Sequence, residues 1–260
     1  MSEYENVVVS RDGPVAVVSL NRPESINAIN SALLRDLGAA VTEVNNDESI
    51  RVAILTGTGR AFCAGADLTE DMEPGFDVEA QLNTEYKPVL MSITEAPQPW
   101  ISAVNGAAAG IGSAFAMACD LTVMAEDAYI YQAFAAIGLI PDGGATWHLV
   151  HTLGRKRAYE LIVTGEKLTA QRCLALGLCN RVVPADCLLD EAREWAQLLA
   201  AKAPLSLRHA KHVLNQATAA SLADTISNEA KFQQLCTRSE DFAEGVAAFM
   251  DKRSPEWKGR

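Results

Sequence analysis

Arg51-Val52-Ala53-Ile54-Leu55-Thr56-Gly57-Thr58-Gly59-Arg60-Ala61-Phe62-Cys63-Ala64-Gly65-Ala66-Asp67-Leu68 is the stretch on which the fold turns. A β-rich run, Arg51–Thr56, ends in a glycine-rich turn and a segment of small residues. Two further glycine-rich segments follow. One is Asn105-Gly106-Ala107-Ala108-Ala109-Gly110-Ile111-Gly112-Ser113, after the β-rich Trp100–Val104. The other is Gly138-Leu139-Ile140-Pro141-Asp142-Gly143-Gly144-Ala145-Thr146-Trp147, downstream of β-rich runs at Leu121–Met124 and Tyr129–Gln132. Val7–Val9 and Val15–Leu20 are β-rich as well.

Helical periodicity fills the intervals. After Asn30 as a cap, Leu33, Leu34, Leu37, Val41 and Val44 share one face, opposite Arg35, Asp36 and Glu43. Strands alternating with helices predict an α/β architecture. Beyond about Val183 the texture becomes Ala- and Leu-rich, with Leu188, Leu189, Ala192, Trp195, Leu198 and Leu199 forming one helical stripe. Pro204 is the only firm punctuation there, and no linker sets this helical part apart from the rest.

The 260 residues, 49% of them hydrophobic, suffice to bury a core without disulfides or a structural metal. With 22 basic against 33 acidic residues the net charge is −11, which argues against nucleic acid, whose phosphates call for clustered Lys and Arg. No basic-then-apolar leader and no bilayer-length apolar run is present, so a cytoplasmic protein with no membrane partner is expected. Cys63, Cys119, Cys173, Cys179, Cys187 and Cys236 form no CxxC pair and are expected to be reduced thiols in or near the core.

Several familiar chemistries are missing. The position three residues after Gly59 is Phe62 and that after Gly112 is Phe115, so neither segment completes a dinucleotide fingerprint. There is no Walker lysine, GxSxG elbow or HExxH. His148/His151 and His209/His212 have metal-compatible spacing but no acidic or cysteine companion, so no metal site is assigned. Glycine turns opening helices do present free backbone N–H groups at a positive dipole end, which suits an oxyanion. The same glycines also serve tight turns and close packing.

Taken together, the segments resemble the crotonase, or enoyl-CoA hydratase/isomerase, superfamily. The likeness runs through Leu20-Asn21-Arg22-Pro23-Glu24-Ser25-Ile26-Asn27-Ala28, Arg60–Leu68, Ala103–Gly112 with Cys119-Asp120, Gly138–Trp147, Leu161–Lys167 with Thr169-Ala170, Gly177–Val183 and Phe249-Met250-Asp251-Lys252-Arg253. The resemblance implies a spiral of ββα units over residues 1–195 and a helical oligomerisation region over 196–260, assembled as a homotrimer or a dimer of trimers. It implies an acyl-CoA thioester substrate and no cofactor beyond the CoA that the substrate carries.

By position, the resemblance makes the N–H groups of Ala66 and Ile111 an oxyanion hole for the thioester oxygen, with Gly65, Gly110 and Gly112 allowing close approach. Ser25, Ile26 and Ala28 match the loop at the nucleotide end of CoA, and Ser25 stands where many relatives have lysine. Ala64, Ala66 and Leu68 match the adenine- and pantetheine-lining segment, and Phe249 and Lys252 match residues that reach a neighbouring subunit's CoA. Arg22, Arg60 and Lys252 are the local cations available against a net acidic chain, with solvated surface charge the alternative for Arg22. Asp67 belongs to the CoA-lining segment and organises its loop.

The family's hydratases use two glutamates, and here those positions hold Ala114 and Phe134. Asp142 matches the aspartate of double-bond isomerases. A single carboxylate can take a proton from C2 and return it at C4 if burial raises its pKa. The alternative is that Pro-Asp-Gly-Gly is a turn and Asp142 caps the helix holding Trp147 and Leu149. Met72, Phe76, Leu82, Tyr86 and Phe134 are expected as acyl-pocket walls, with core packing as the alternative. The expected function is an acyl-CoA isomerase. The rivals are an atypical hydratase or another CoA-thioester lyase or hydrolase, and a non-catalytic acyl-CoA-binding or assembly protein.

Overall fold

The computed structural model describes residues 4–70 and 75–260. In chain order the elements are β1 (Val7–Asp12), β2 (Val15–Leu20), α1 (Ser31–Asn46), β3 (Val52–Gly57), β4 (Ala61–Cys63), α2 (Val78–Gln81), a π-helical turn at Leu82–Tyr86 and α3 (Lys87–Thr94). Next come β5 (Trp100–Val104), β6 (Ala107–Ala109), α4 (Ile111–Ala118), β7 (Leu121–Ala125), β8 (Tyr129–Tyr131), α5 (Ala145–Leu153), α6 (Arg155–Thr164), β9 (Lys167–Thr169), α7 (Ala170–Leu176) and β10 (Arg181–Val183). The chain closes with α8 (Leu188–Ala200), α9 (Pro204–Ala217), α10 (Leu222–Thr237) and α11 (Glu240–Asp251).

The strands form two sheets, ordered β1-β2-β3-β5-β7-β10 and β4-β6-β8-β9. Successive pairs β3/β4, β5/β6 and β7/β8 each place one strand in the larger sheet and the next in the smaller. Neighbouring turns pair in parallel, as Ala53 with Trp100 and Ile101 with Leu121 in one sheet and Ala107 with Tyr129 in the other. This is the expected α/β spiral of ββα units.

β3 and β5 are buried along their whole length, as central strands of a parallel sheet must be. α1 begins where expected, because Asn30 Oδ1 accepts the Leu33 N–H at 2.9 Å, and it buries Leu33, Leu34, Leu37, Ala40, Val41 and Val44. β4, β6, β9 and β10 are not legible in the sequence. Each has only three residues, and Ala107–Ala109 carries no β-branched or aromatic signal.

Among the C-terminal helices, α8 lies on the larger sheet and buries Leu188, Ala192, Ala196 and Ala200, with Leu189, Trp195 and Leu199 half-buried. Leu198 departs from the expected stripe. It is exposed because alanines, not leucines, meet the sheet. α9 is tied to the spiral by Lys211, whose buried ammonium donates to the Ile93 and Gln98 carbonyls and meets Asp120 Oδ2 at 2.8 Å. α10 buries none of its residues, and Leu222, Ile226, Phe242, Phe249 and Met250 stand exposed on α10 and α11.

All six cysteines are free thiols. Cys187 corrects the expectation of core or near-core sites, since it lies exposed in the 3₁₀ turn before α8. Among the described residues no helix is long and apolar enough to cross a membrane.

Candidate active site

Parallel pairing of β4 with β6 lays the first glycine-rich segment beside the second. Side chains are excluded where they meet. A β-carbon on Gly65 would lie 3.2 Å from the Ala109 carbonyl oxygen, and one on Gly112 would lie 2.6 Å from Cys63 Sγ. Gly110 adopts φ 51°, ψ −132°, a conformation open essentially to glycine alone. That turn is braced from three sides: the Gly110 N–H donates to Tyr131 O, Ser113 Oγ donates to Gly110 O, and Gln132 Nε2 donates to Ser113 Oγ.

The bracing leaves two amides free. Ile111 opens α4, so its N–H has no partner within the helix. Ala66 bridges to Ile29 in parallel fashion: the Ile29 N–H donates to Gly65 O and the Asp67 N–H to Ile29 O, so the Ala66 N–H faces the other way. Among the described residues neither amide donates a hydrogen bond. Two free donors on adjoining segments, one at a helix N-terminus, can hold a developing oxyanion.

The Arg22–Ala28 loop closes over this pair. Ile26 and Asn27 both have positive φ, 56° and 55°. Buried Asn27 holds the strained loop in place, accepting the Arg22 N–H at Oδ1 and donating from Nδ2 to Thr58 O and Ala61 O. Arg22 Nη1 donates to Ala28 O and to Asp67 Oδ2, the latter at 2.9 Å. Asp67 Oδ1 accepts from Thr69 N–H and hydroxyl, and these bonds, with Arg22, hold the carboxyl below its ordinary pKa. Arg22 is therefore a clasp between the two loops and not a free surface cation. Arg60 is exposed and, among the described residues, joins no ion pair.

The third segment supplies the carboxylate. Gly143 and Gly144 are left-handed, and α5 takes Gly144 as its N-cap with no side-chain bond. Asp142 contributes only its carbonyl to that turn, accepting the Ala145 N–H, so the helix-cap alternative does not hold. A β-carbon on Gly143 would come within 2.8 Å of Ala114 Cβ and 3.1 Å of the Ile111 side chain, which sets Asp142 beside the mouth of α4. Burial pushes the Asp142 carboxyl up to about 6, opposed only by its own backbone N–H. Its Oδ1 is buried and unpartnered among the described residues.

Around it the walls are apolar. Ala114 is fully buried, and Phe134 reaches the Gly110 turn, its ring edge 3.8 Å from where a Gly110 β-carbon would be. Neither side chain can exchange a proton. Tyr86 is buried, Leu82 half-buried and Phe76 42% exposed. Met72 lies outside the described residues.

Leu68 is 70% exposed, as a residue lining an open groove would be. Ser25, Ile26 and Ala28 are partly exposed on the loop that faces Ala64 and Gly65. Phe249, 82% exposed, and Lys252, the left-handed cap of α11, stand on the outer C-terminal helix. The histidine pairs pack on aromatic rings instead of on each other's open positions: His151 stacks on Trp147, and His209 and His212 both meet Phe232.

Asn27 and the Arg22–Asp67 clasp were not legible as a unit in the sequence. An asparagine within Ser-Ile-Asn-Ala is the one local hint of a left-handed loop.

Residues 10–260 match the sequence profile of a family described as enoyl-CoA hydratase/isomerase. The chain is 37% identical over 250 residues to the 1,2-epoxyphenylacetyl-CoA isomerase of Escherichia coli K12, covering 95% of both chains. It is 37% identical to the 2,3-dehydroadipyl-CoA hydratase of the same organism, covering 98% of this chain and 99% of that one. A solved enoyl-CoA hydratase from Bacillus anthracis superposes with a TM-score of 0.92 at 34% identity, over 98% of this chain and all of the other.

Proposed function

Because the chain belongs to the enoyl-CoA hydratase/isomerase family of crotonase-superfamily enzymes, we propose that it is an acyl-CoA double-bond isomerase in which Asp142 carries the proton and the Ala66 and Ile111 amides hold the enolate. The observation that carries this reading is, among the described residues, an unpartnered carboxylate oxygen beside two free amides, in a site whose other two candidate acid positions are Ala114 and Phe134.

The steps follow from that geometry. With a 3-enoyl-CoA, the Asp142 carboxylate removes a proton from C2. The electrons move onto the thioester oxygen, where the two amides stabilise the dienolate, a term usually worth a few kcal/mol per donor. The protonated Asp142 returns the same proton to C4, and the thioester carbonyl re-forms with the double bond at C2–C3. A carboxyl near pKa 6 suits both halves, being ionised at neutral pH yet acidic enough to give the proton back.

In this proposal Ser25, Ile26, Ala28, Arg60, Ala64 and Leu68 line the CoA groove, while the Arg22–Asp67 clasp holds the loop. Phe249 and Lys252 reach the CoA of a neighbouring subunit in a homotrimer or a dimer of trimers. The exposed apolar surface of α10 and α11 supports the assembly, and an isolated helix that buries nothing has little reason to persist alone.

A second reading has Asp142 activating water as a one-carboxylate hydratase, and the likeness to a named hydratase favours it. The two separate on incubation of 3-enoyl-CoA and 2-enoyl-CoA in heavy water with mass detection. Isomerisation changes mass only by deuterium exchange, whereas hydration adds a water. Asp142→Asn abolishes turnover with CoA binding retained, and unchanged turnover would sink the assignment.

A further inference from the structure

The parallel register of β6 and β8 sets Ala109 opposite Tyr131, and the two chains stay together as they leave the sheet. The Gly110 N–H donates to Tyr131 O at 2.9 Å, and the next residue, Gln132, donates from Nε2 to Ser113 Oγ at 2.8 Å. Ser113 Oγ in turn donates to Gly110 O at 2.6 Å, a carbonyl that also accepts the Ser113 N–H at 3.0 Å. Ser113 and Gln132 are both fully buried.

Proton count fixes the direction of this chain of bonds. A hydroxyl has one proton, and Ser113 gives its own to Gly110 O, which can only accept. Gln132 must therefore present its NH2 to the serine, and its carbonyl must point elsewhere. That carbonyl oxygen, Oε1, is buried and accepts from no described residue. A buried acceptor left unmatched is destabilising, and such an atom marks a place where another demand sets the geometry. Here the demand is the serine's proton, which turning the amide over would call away from Gly110 O.

Ser113 does not cap α4, because a capping oxygen accepts N–H groups whereas this one donates to a carbonyl. Gly110 O is one half of a peptide group whose other half is the Ile111 N–H. Drawing electron density toward that oxygen leaves the N–H more positive and a stronger donor, and each bond in such a chain strengthens its neighbour by about 10–30%.

We propose that Ser113 and Gln132 are positioning residues of the oxyanion hole. They form a buried relay, from Gln132 Nε2 to Ser113 Oγ to Gly110 O, that polarises and orients the Ile111 N–H toward the carbonyl oxygen of a bound acyl thioester. Both act through the Gly110–Ile111 peptide. This rests on the oxyanion role proposed for the Ile111 amide, not on which proton Asp142 moves.

The test is isotope-edited infrared difference spectroscopy of octanoyl-CoA carrying carbon-13 at the thioester carbonyl. Binding to the unaltered protein lowers the carbonyl stretching frequency, and that shift is reduced in Ser113→Ala and reduced less in Gln132→Met. Combining the two reduces it no further than Ser113→Ala alone, because Gln132 acts only through Ser113. Stability runs the other way. Ser113→Ala leaves the Gln132 amide without its acceptor, so adding Gln132→Met recovers part of the loss in denaturant unfolding.

A frequency shift that recovers together with stability in the double variant would show a merely structural contact and overturn the proposal. A full shift in Ser113→Ala or in Gln132→Met overturns it too, so the second variant decides where the first does not fold. If the unaltered protein leaves the carbonyl of octanoyl-CoA unshifted, the oxyanion reading itself falls and the relay with it, an outcome distinct from a shift that ignores Ser113.

Discussion

Gly143 and Ala114 are packed so closely that a β-carbon on the glycine would lie 2.8 Å from that of the alanine. The contact joins the segment carrying Asp142 to the first turn of α4, which carries the Ile111 amide. Ala114 itself is fully buried, so any longer side chain there has to be accommodated inside the packed interior.

Ala114→Glu follows directly. Restoring a carboxylate there does not create a hydratase; it overpacks a fully buried position and buries a charge with no partner. We expect a loss of about 2 kcal/mol or more by denaturant unfolding, no water addition to 2-enoyl-CoA, and the proposed isomerase activity reduced at least about tenfold. Gain of hydration at full stability would contradict the packing argument.

Asp142 gives a pH signature with two opposite faces. In the proposed role of a base it must be ionised, so kcat/KM falls about tenfold per pH unit below a midpoint near 6. For stability the sign reverses. The folded-state pKa is raised, so the native state holds the proton more tightly and loses stability as pH rises from about 4 through 6. Asp142→Asn should then be inactive yet slightly more stable at pH 7, by on the order of 1 kcal/mol once solvent screening at this partly exposed carboxyl is allowed for. Thermal unfolding of the two proteins at pH 4.5 and pH 7 checks it: the gap should exist only at the higher pH.

Gly112→Ala strikes the oxyanion turn from below. Its new methyl would lie 2.6 Å from both Cys63 Cβ and Sγ and 2.7 Å from the Cys63 carbonyl oxygen. The turn must shift, and a misplaced Ile111 amide costs about a hundredfold in kcat, as loss of one oxyanion donor does. Adding Cys63→Ala does not rescue it, because the β-carbon and carbonyl of residue 63 remain in the way. Full recovery in that double variant would show the thiol alone to be the obstacle.

Lys211→Met tests how the C-terminal helices are held. The buried ammonium serves Asp120 and two carbonyls from α3 and the approach to β5, and its removal leaves the Asp120 carboxylate without its countercharge, with the Trp100 N–H still donating to it. We expect a loss of about 3 kcal/mol or more, with α9 to α11 becoming the first region to exchange amide hydrogens. Lys211→Met with Asp120→Asn should recover part of that loss, since the uncompensated charge is then gone.

The glycine-rich segments were legible as tight turns before any coordinates, because only glycine permits Gly110's dihedral angles and the approach of Gly65 to Ala109, while the resemblance alone singled out the Ala66 and Ile111 amides. Asp142 was legible as the carboxylate of the third segment, matched by the resemblance to the aspartate of double-bond isomerases. The stripe through Leu198 was misjudged since helical periodicity marks a hydrophobic face but not its centre, and α8 meets the sheet through alanines. β4, β6, β9 and β10 were missed because pairing, not propensity, makes them.

What the sequence determined by itself is local: which turns need glycine, where α1 is capped, where the longer strands run, and that two positions lack an acid. Each depends on a residue and its near neighbours in the chain. What only tertiary structure decided is whether a charged or polar group is spent or free. Arg22 is consumed by Asp67, 45 positions away, while Asp142 Oδ1 is left without a partner among the described residues, because hydrogen-bond satisfaction is settled by contacts that loop closure and helix packing bring together.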